Sequence, residues 1–220
     1  MNTKGILVVV SGFSGVGKGT LMKRLTEKYG QYALSISATT RSPREGEVDG
    51  REYFFKTQEE FEEMIREDRL IEYASYCGNY YGTPREYVED QIAQGRDVIL
   101  EIEAQGAYKV KKRYPDTLLL FVMPPDARTL VDRLSGRGTE SEDVIQSRLH
   151  RALEESLMAE KYEYMVINDD LDQGVEKIHS LIEAQRDKIK LNVEFVQQIR
   201  MELKELLKGE WKCCIRLIQI

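Results

Sequence analysis

The chain has 220 residues, enough for one large domain or a core with small insertions. Its formal charge of −6 argues against a sequence-blind nucleic-acid binder, but leaves room for a locally basic site that takes an anionic substrate. Apolar stretches stay well short of the roughly 20 residues that span a bilayer. MNTKG runs straight into an apolar strand with no room for a signal peptide, and Cys77, Cys213 and Cys214 suit neither a disulfide framework nor a zinc site, so the expected compartment is the cytoplasm.

In chain order, Ile6 to Val10 is an aliphatic run of the kind buried on both faces of a parallel sheet. It breaks at Ser11-Gly12, and the loop Gly12-Phe13-Ser14-Gly15-Val16-Gly17-Lys18-Gly19-Thr20 leads into a helix carrying Leu21 and Leu25. Gly12, four residues, then Gly17-Lys18 is the Walker A spacing in its required strand–loop–helix context. Glycines let successive N–H groups face a phosphate chain at the positive end of a helix, and Lys18 adds a full charge. The competing reading is a plain tight connection, which the lysine and the flanking elements disfavour. One departure matters: the hydroxyl usual after the lysine is replaced by Gly19 and comes one place later at Thr20, so the loop is not expected to coordinate magnesium directly.

Ala33 to Ser37 reads as a strand, and a polar stretch rich in Arg, Gly and Pro follows, with a short strand at Glu52 to Phe55. Thr57-x-x-Glu60 is a capping box opening a helix to about Arg69. Leu70 to Cys77 is a strand, Gly78-Asn79 a turn and Tyr80-Tyr81 the return; Thr83-Pro84-x-Glu86 starts a helix with Pro84 at its first position. The alternation then resumes: a strand over Asp97 to Glu103, a helix through Lys112, a strand over Leu118 to Met123, and a helix capped by Asp126 through Leu134. Beyond the glycine-punctuated SGRGTESED comes a helix whose Ile145, Leu149, Ala152, Leu153 and Leu157 share an apolar face. A last strand covers Tyr164 to Asn168, a helix runs from Leu171 to about Lys190, and the tail aligns Phe195, Ile199, Leu203 and Leu206 before ending in WKCCIRLIQI. The fold class is α/β: a phosphate-loop parallel sheet flanked by helices, with a small α+β insertion and a helical lid. The expected division is a core of residues 1–36, 85–134 and 161–190, an insertion of 37–84, a lid of 135–160 and a tail of 191–220.

Two constellations carry chemistry. Ser37, Arg41, Arg44, Tyr53, Glu72, Tyr81 and Thr83 all fall in the insertion, where two arginines three apart suit a bidentate grip on phosphate. A solvated turn with surface arginines fits the spacing as well. Arg133, Arg137 and Arg148 straddle the segment after the Asp126 helix; they read either as a charged surface or as a lid neutralising transferred phosphate. Glu101 and Glu103 sit two apart at a strand end, facing a ligand or pairing with an arginine. His150 and His179 read as structural.

Ser37-Ala-Thr-Thr-Arg41-Ser-Pro-Arg44-x-Gly46-Glu47, Tyr53-Phe-Phe and Gly78-Asn79-Tyr80-Tyr81-Gly82-Thr83 closely resemble the guanylate kinase family. So do Ile102-Glu103-x-Gln105-Gly106, Gly136-Arg137-Gly138-Thr139-Glu140 and Val166-Ile167-Asn168-Asp169-Asp170, in order from Gly5 to about Glu183. The resemblance implies ATP:GMP phosphotransfer in purine nucleotide metabolism, with MgATP as co-substrate and magnesium reached through water near Thr20 and Glu101. It implies that Arg41, Arg44, Tyr53 and Tyr81 hold the GMP phosphate. Ser37, Glu72 and Thr83 then recognise guanine, with Gly82, Glu101 and Glu103 beside the bound GMP. The loop from Gly12 to Thr20, with Arg133 and Asn168, takes ATP, and Lys18, Arg41, Arg137 and Arg148 are the catalytic set. Thr83 stands where serine is frequent, and Glu101 and Glu103 where aspartates are frequent, which changes reach and keeps the functional group. Expected partners are the two nucleotides, with neither nucleic acid nor membrane; the tail's apolar face packs on the core or on a second subunit in a homodimer. The rivals are a catalytically inactive guanylate-kinase-like protein-binding module, which would lack a working phosphate loop, and a GTPase, which would need an absent Asn-Lys-x-Asp motif.

Overall fold

A computed structural model describes residues 4–76, 78–136 and 142–207. In chain order its strands are β1 (Leu7–Gly12), β2 (Tyr32–Leu34), β3 (Ala38–Thr39), β4 (Phe54–Phe55), β5 (Leu70–Tyr76), β6 (Asn79–Pro84), β7 (Asp97–Glu101), β8 (Leu118–Met123) and β9 (Tyr164–Ile167). Its helices are α1 (Lys18–Lys28), α2 (Gln58–Arg66), α3 (Arg85–Ala93), α4 (Ala104–Arg113), α5 (Ala127–Ser135), α6 (Glu142–Ala159), α7 (Leu171–Arg186) and α8 (Val193–Leu207).

Five strands form a parallel sheet in the order β2-β7-β1-β8-β9. The apolar runs foreseen in the sequence are its interior: Val8, Val9, Val10, Leu118, Leu120 and Val122 are all fully buried. A core cluster of Leu7, Val9, Ala33, Val98, Leu100 and Leu119 seals one region of it against Val88 of α3 and Ala107 and Val110 of α4. A second sheet, β4-β3-β6-β5, packs Ala38 and Leu70 against Phe61 and Met64 of α2. The capping box on α2 is formed as expected: Glu60 N donates to Thr57 Oγ1 at 3.1 Å, and Thr57 N donates to Glu60 Oε2 at 2.8 Å. Asp126 caps α5 by accepting from Thr129 N at 2.7 Å.

Several boundaries differ from the sequence reading. The strand expected over Ala33 to Ser37 ends at Leu34, in β2 of the parallel sheet, and the chain crosses Ser35–Ser37 to reach β3 in the small sheet. The strand expected at Glu52 is confined to Phe54–Phe55. Pro84 ends β6 and caps α3 from outside the helix, so Arg85 is the first helical residue. β7 ends at Glu101, which leaves Glu103 to cap α4. The helix expected to about Lys190 stops at Arg186, and a 3₁₀ turn, Ile189–Leu191, follows. The apolar face expected on α6 is buried only in part: Ala152 is buried and Ile145 and Leu149 are half-buried, whereas Leu153 and Leu157 are 68% and 71% exposed. Arg148, Arg151 and Glu155, at i, i+3 and i+7, occupy the side of the helix opposite Leu157.

By contacts the chain divides into a unit of Lys4–Ile182 and a second unit from Glu183 onward. In the second unit α8 leaves Phe195, Ile199, Leu203 and Leu206 each more than a third exposed. WKCCIRLIQI with Cys213 and Cys214, Cys77, and Arg137 to Glu140 lie outside the described residues. Among the described residues no helix is long and apolar enough to cross a membrane.

Candidate active site

β1 and β7 lie side by side with Val10 opposite Glu101, so the loop leaving β1 and the carboxylate ending β7 emerge together at the carboxyl edge of the sheet. The loop needs its glycines for two reasons. Gly15 and Gly17 have φ of 85° and 91°, in the left-handed region that side chains avoid. At Gly12 a Cβ would meet the Val122 carbonyl oxygen at 2.2 Å, so the loop could not settle onto β8. Phe13 and Val16 turn their side chains into the core, Phe13 edge-on to Phe121 at 5.3 Å, and offer the site only backbone. α1 starts after Gly17 without a side-chain cap, which leaves its first N–H groups available to an anion. Gly19 and Thr20 are exposed on its first turn.

Lys18 Nζ donates to the loop's own carbonyls, Gly12 O at 2.7 Å and Phe13 O at 3.1 Å. Burial pushes its pKa down, while the nearby carboxylates of Glu101, Glu155 and Glu103 pull it back up. A cavity of about 290 Å³ opens here, lined by Gly12, Ser14 and Lys18 on the loop side. Glu101, Ile102, Glu103, Arg151 and Glu155 complete it. Beneath the loop, Asn168 Nδ2 donates to Val16 O at 2.8 Å, and Arg133 Nη1 donates to Asn168 O at 2.8 Å. Arg133 and Asn168 therefore brace the base of the loop.

A second cavity, of about 360 Å³, lies between the two sheets' edges. Ser37, Tyr53, Glu72, Tyr81 and Gly82 line it, as do Ala74, Ser75, Gln105 and Gly106. Glu101, Ile102 and Glu103 line both cavities and form the wall they share. Glu72 is 8% exposed, and burial raises its pKa, partly offset by Thr83 and Lys109. Thr83 Oγ1 donates to Glu72 Oε1 at 2.9 Å, so this hydroxyl orients the carboxylate. Arg41 Nη2 donates to both carboxylate oxygens of Glu47, at 2.9 Å each, beneath the rings of Tyr53 and Phe55. Tyr53 and Tyr81 meet edge to face at 6.1 Å, so Arg41 and both phenols converge. Arg44 is exposed, and its backbone N–H donates to Glu47 Oε2 at 2.7 Å.

Of the expected lid arginines, Arg148 is half-buried on α6 and Arg137 lies outside the described residues. His150 bonds Gln146 O on its own helix, and His179 stacks on Tyr29, both consistent with structural roles. The sequence reading did not single out Arg151, Glu155 or Ser75, and it named Gln105 only within a family motif. The signal for the first two was present: an Arg–Glu pair four apart, one turn beyond Arg148.

One cavity floored by a phosphate loop and a second walled by a buried carboxylate, meeting at one strand end, is an arrangement for two ligands. The guanylate kinase family profile matches residues 4–185. The chain belongs to the guanylate kinase family. A guanylate kinase from Caldanaerobacter subterraneus subsp. tengcongensis is 49% identical over 199 residues, covering 90% of this chain and 97% of that protein. The crystal structure of guanylate kinase from Anaplasma phagocytophilum superposes with a TM-score of 0.68 at 30% identity, covering 85% of this chain and 89% of that one. The chain is thus an enzyme of the nucleoside monophosphate kinase class.

Proposed function

We propose that this guanylate kinase transfers the γ-phosphate of ATP directly to the phosphate of GMP, with ATP over the loop and GMP in the cavity around Glu72. The observation that supports this reading is the shared wall of Glu101, Ile102 and Glu103, which sets the cavity over the loop beside the cavity around Glu72. In this reading Lys18 leaves the carbonyls of Gly12 and Phe13 for the β- and γ-phosphates. Arg41 with Tyr53 and Tyr81, joined by Arg44, holds the acceptor phosphate, and Glu72 takes the guanine edge. Arg137 and Arg148 neutralise the transferring group from the lid. The acceptor oxygen is already ionised at neutral pH, so no general base is needed. Nucleotide binding and positioned cations supply the catalysis.

The oxygen donors present fit magnesium. Glu101 lies against the first turn of α1, with its Oε2 3.9 Å from where a Cβ of residue 19 would stand. Carboxylate oxygens beside a phosphate site suit an ion that keeps several waters and rests on the substrate's own oxygens. Glu101 would hold it through water, with Thr20 and Glu103 nearby. When bound, the ion neutralises charge on the phosphates. Cytoplasmic purine salvage is the setting that this activity suits.

The test is ADP release with each nucleoside monophosphate in turn, for the natural chain and for Lys18→Met. GMP is expected to be the preferred acceptor. Lys18→Met is expected to lower kcat by ~10²-fold or more with GMP binding retained, since the lysine serves the donor. Near-normal turnover in that variant would refute the assignment of the loop.

A further inference from the structure

The cavity over the phosphate loop holds a second cation beside Lys18. Arg151, on α6, reaches its wall and donates from Nη2 to Glu103 Oε1 and from Nε to Glu155 Oε1 at 3.3 Å. We propose that Arg151 is a further catalytic residue: with nucleotides bound, its guanidinium leaves Glu103 for the γ-phosphate, while Glu155 keeps it aimed. This rests on the reading of the loop cavity as the ATP site.

Charge is the first reason. The cavity is lined by three carboxylates, Glu101, Glu103 and Glu155, against two cations, Lys18 and Arg151. A triphosphate entering a lining with an excess of one negative charge needs every available cation turned toward it. The unequal grip of the two carboxylates is the second. Glu103's side chain is 63% exposed, and an exposed ion pair is a weak one. A phosphate, with more charge and three acceptor oxygens, is the better partner for a planar guanidinium.

Glu155 is different. Its side chain is 16% exposed, it sits four residues from Arg151 on the same helix, and its Oε2 is buried with no hydrogen-bond partner among the described residues. A buried carboxylate oxygen without a donor is an unfinished arrangement. When the guanidinium turns away from Glu103, Oε2 can accept a second N–H and complete a two-pronged pair. Arg151 is then held from behind as it contacts phosphate in front. Arg148, three residues earlier, lies on the same face of α6. During transfer, the bond from the acceptor phosphate oxygen to Pγ forms. The bond from Pγ to the β–γ bridging oxygen breaks, and its electron pair leaves on ADP. No proton moves, and Arg151 stays charged throughout.

The experiment compares Arg151→Ala, Arg151→Lys and Glu155→Gln with Lys18→Met, measuring kcat, KM for each nucleotide, and melting temperature with and without a non-hydrolysable ATP analogue. Arg151→Ala is expected to lower kcat ~10²-fold, leave KM for GMP within about twofold, and shrink the analogue's stabilising shift. Arg151→Lys keeps the charge without the fork and is expected to recover part of the loss; Glu155→Gln should fall between it and the natural chain, as befits a positioning residue. If Arg151 only clamps α6 to Glu103, Arg151→Ala will lower the melting temperature yet leave kcat and the analogue's shift unchanged, which overturns the proposal. Should Arg151→Ala fail to fold, Arg151→Lys decides: a lowered kcat supports the contact and an unchanged one refutes it. A dead Lys18→Met beside an unimpaired Arg151 variant removes Arg151 alone, whereas full turnover in Lys18→Met removes the ATP-site reading and this proposal with it.

Discussion

In the proposed reading, Glu72 carries much of the base specificity. Guanine presents N1–H and an exocyclic amine side by side, and an ionised carboxylate, acceptor-only, can take both. Adenine presents an unprotonated N1 there, lone pair facing lone pair. The Thr83 bond to Oε1 fixes the carboxylate's orientation, which leaves Ser37 as the hydroxyl that lines the cavity and can donate to O6. A buried site built to pair polar groups rejects a ligand that leaves them unpaired by up to ~10⁴–10⁵. Glu72→Gln is therefore expected to lower kcat/KM for GMP strongly and narrow the gap to AMP, and an unaltered GMP-over-AMP ratio would take Glu72 out of the base site. The pH dependence has a definite sign. Burial raises the pKa of Glu72, so the ionised form that guanine needs is lost at a higher pH than for an ordinary carboxylate of about 4.3. kcat/KM for GMP should fall on acidification with a limb above that value, and Glu72→Gln should flatten it. For stability the same shift runs the other way: ionised, buried Glu72 opposes folding, and that cost fades as the pH drops through its folded pKa. Lost GMP turnover in mild acid is then not explained by Glu72 unfolding the protein.

Between elements, Asp68 is a joint. It sits in the turn from α2 to β5 with φ 54°, a left-handed conformation that Asp and Asn tolerate best among residues with side chains. Its carboxylate meets Arg113 at the end of α4, at 2.8 Å through Nη1, and Arg85 at the start of α3. The small sheet is thereby tied to two helices that cover the parallel one. Arg113 and Arg85 hold the Asp68 carboxyl well below the usual carboxylate range. A depressed pKa means that the stabilisation is complete above the unfolded value of about 3.9 and disappears as the pH falls below it. Asp68→Asn keeps the backbone conformation and removes the charge. Its melting temperature should lie below that of the natural chain at neutral pH, with the difference closing in acid. A constant difference down the pH range would show that the ion pairs contribute nothing.

On the scale of the molecule, two cavities of about 360 and 290 Å³ open to solvent around one proposed reaction centre would let water compete for the transferred phosphate. The small sheet with α2 and the segment bearing α6 are expected to close on the parallel sheet when both nucleotides bind. Spectroscopic labels at exposed positions of α2 and α7, such as Glu59 and Lys177, in a background lacking the native cysteines, should approach one another with GMP and a non-hydrolysable ATP analogue together. Unchanged distances would mean that the site excludes water without domain closure.

Local chemistry made much of this legible in the sequence. Aliphatic runs announce buried parallel strands, because only such strands are covered on both faces; the Thr57 capping box and Asp126 mark helix starts, because orphan N–H groups need acceptors. The loop from Gly12 to Lys18 declares a phosphate site, because no other use needs glycines and a lysine at those intervals before a helix. Ser37, Tyr53, Glu72 and Tyr81 were nameable as a set through family resemblance, and their convergence on one cavity is a tertiary fact. What the sequence could not decide depends on which neighbours a residue meets. Ala33 to Ser37 reads as one strand, yet only Ala33 and Leu34 pair, with β7, and the chain leaves that sheet before Ala38 pairs with β6 in the other. Leu153 and Leu157 complete a helical apolar pattern, yet they face solvent, because α6 turns Arg151 and Glu155 to the cavity. Periodicity alone weighs greasy residues and misses a charged face that has somewhere to go. Thr83 reads as a residue of the base site from its motif alone, but its partner, Glu72 across the β5–β6 pair, is brought within 2.9 Å only by the strand register.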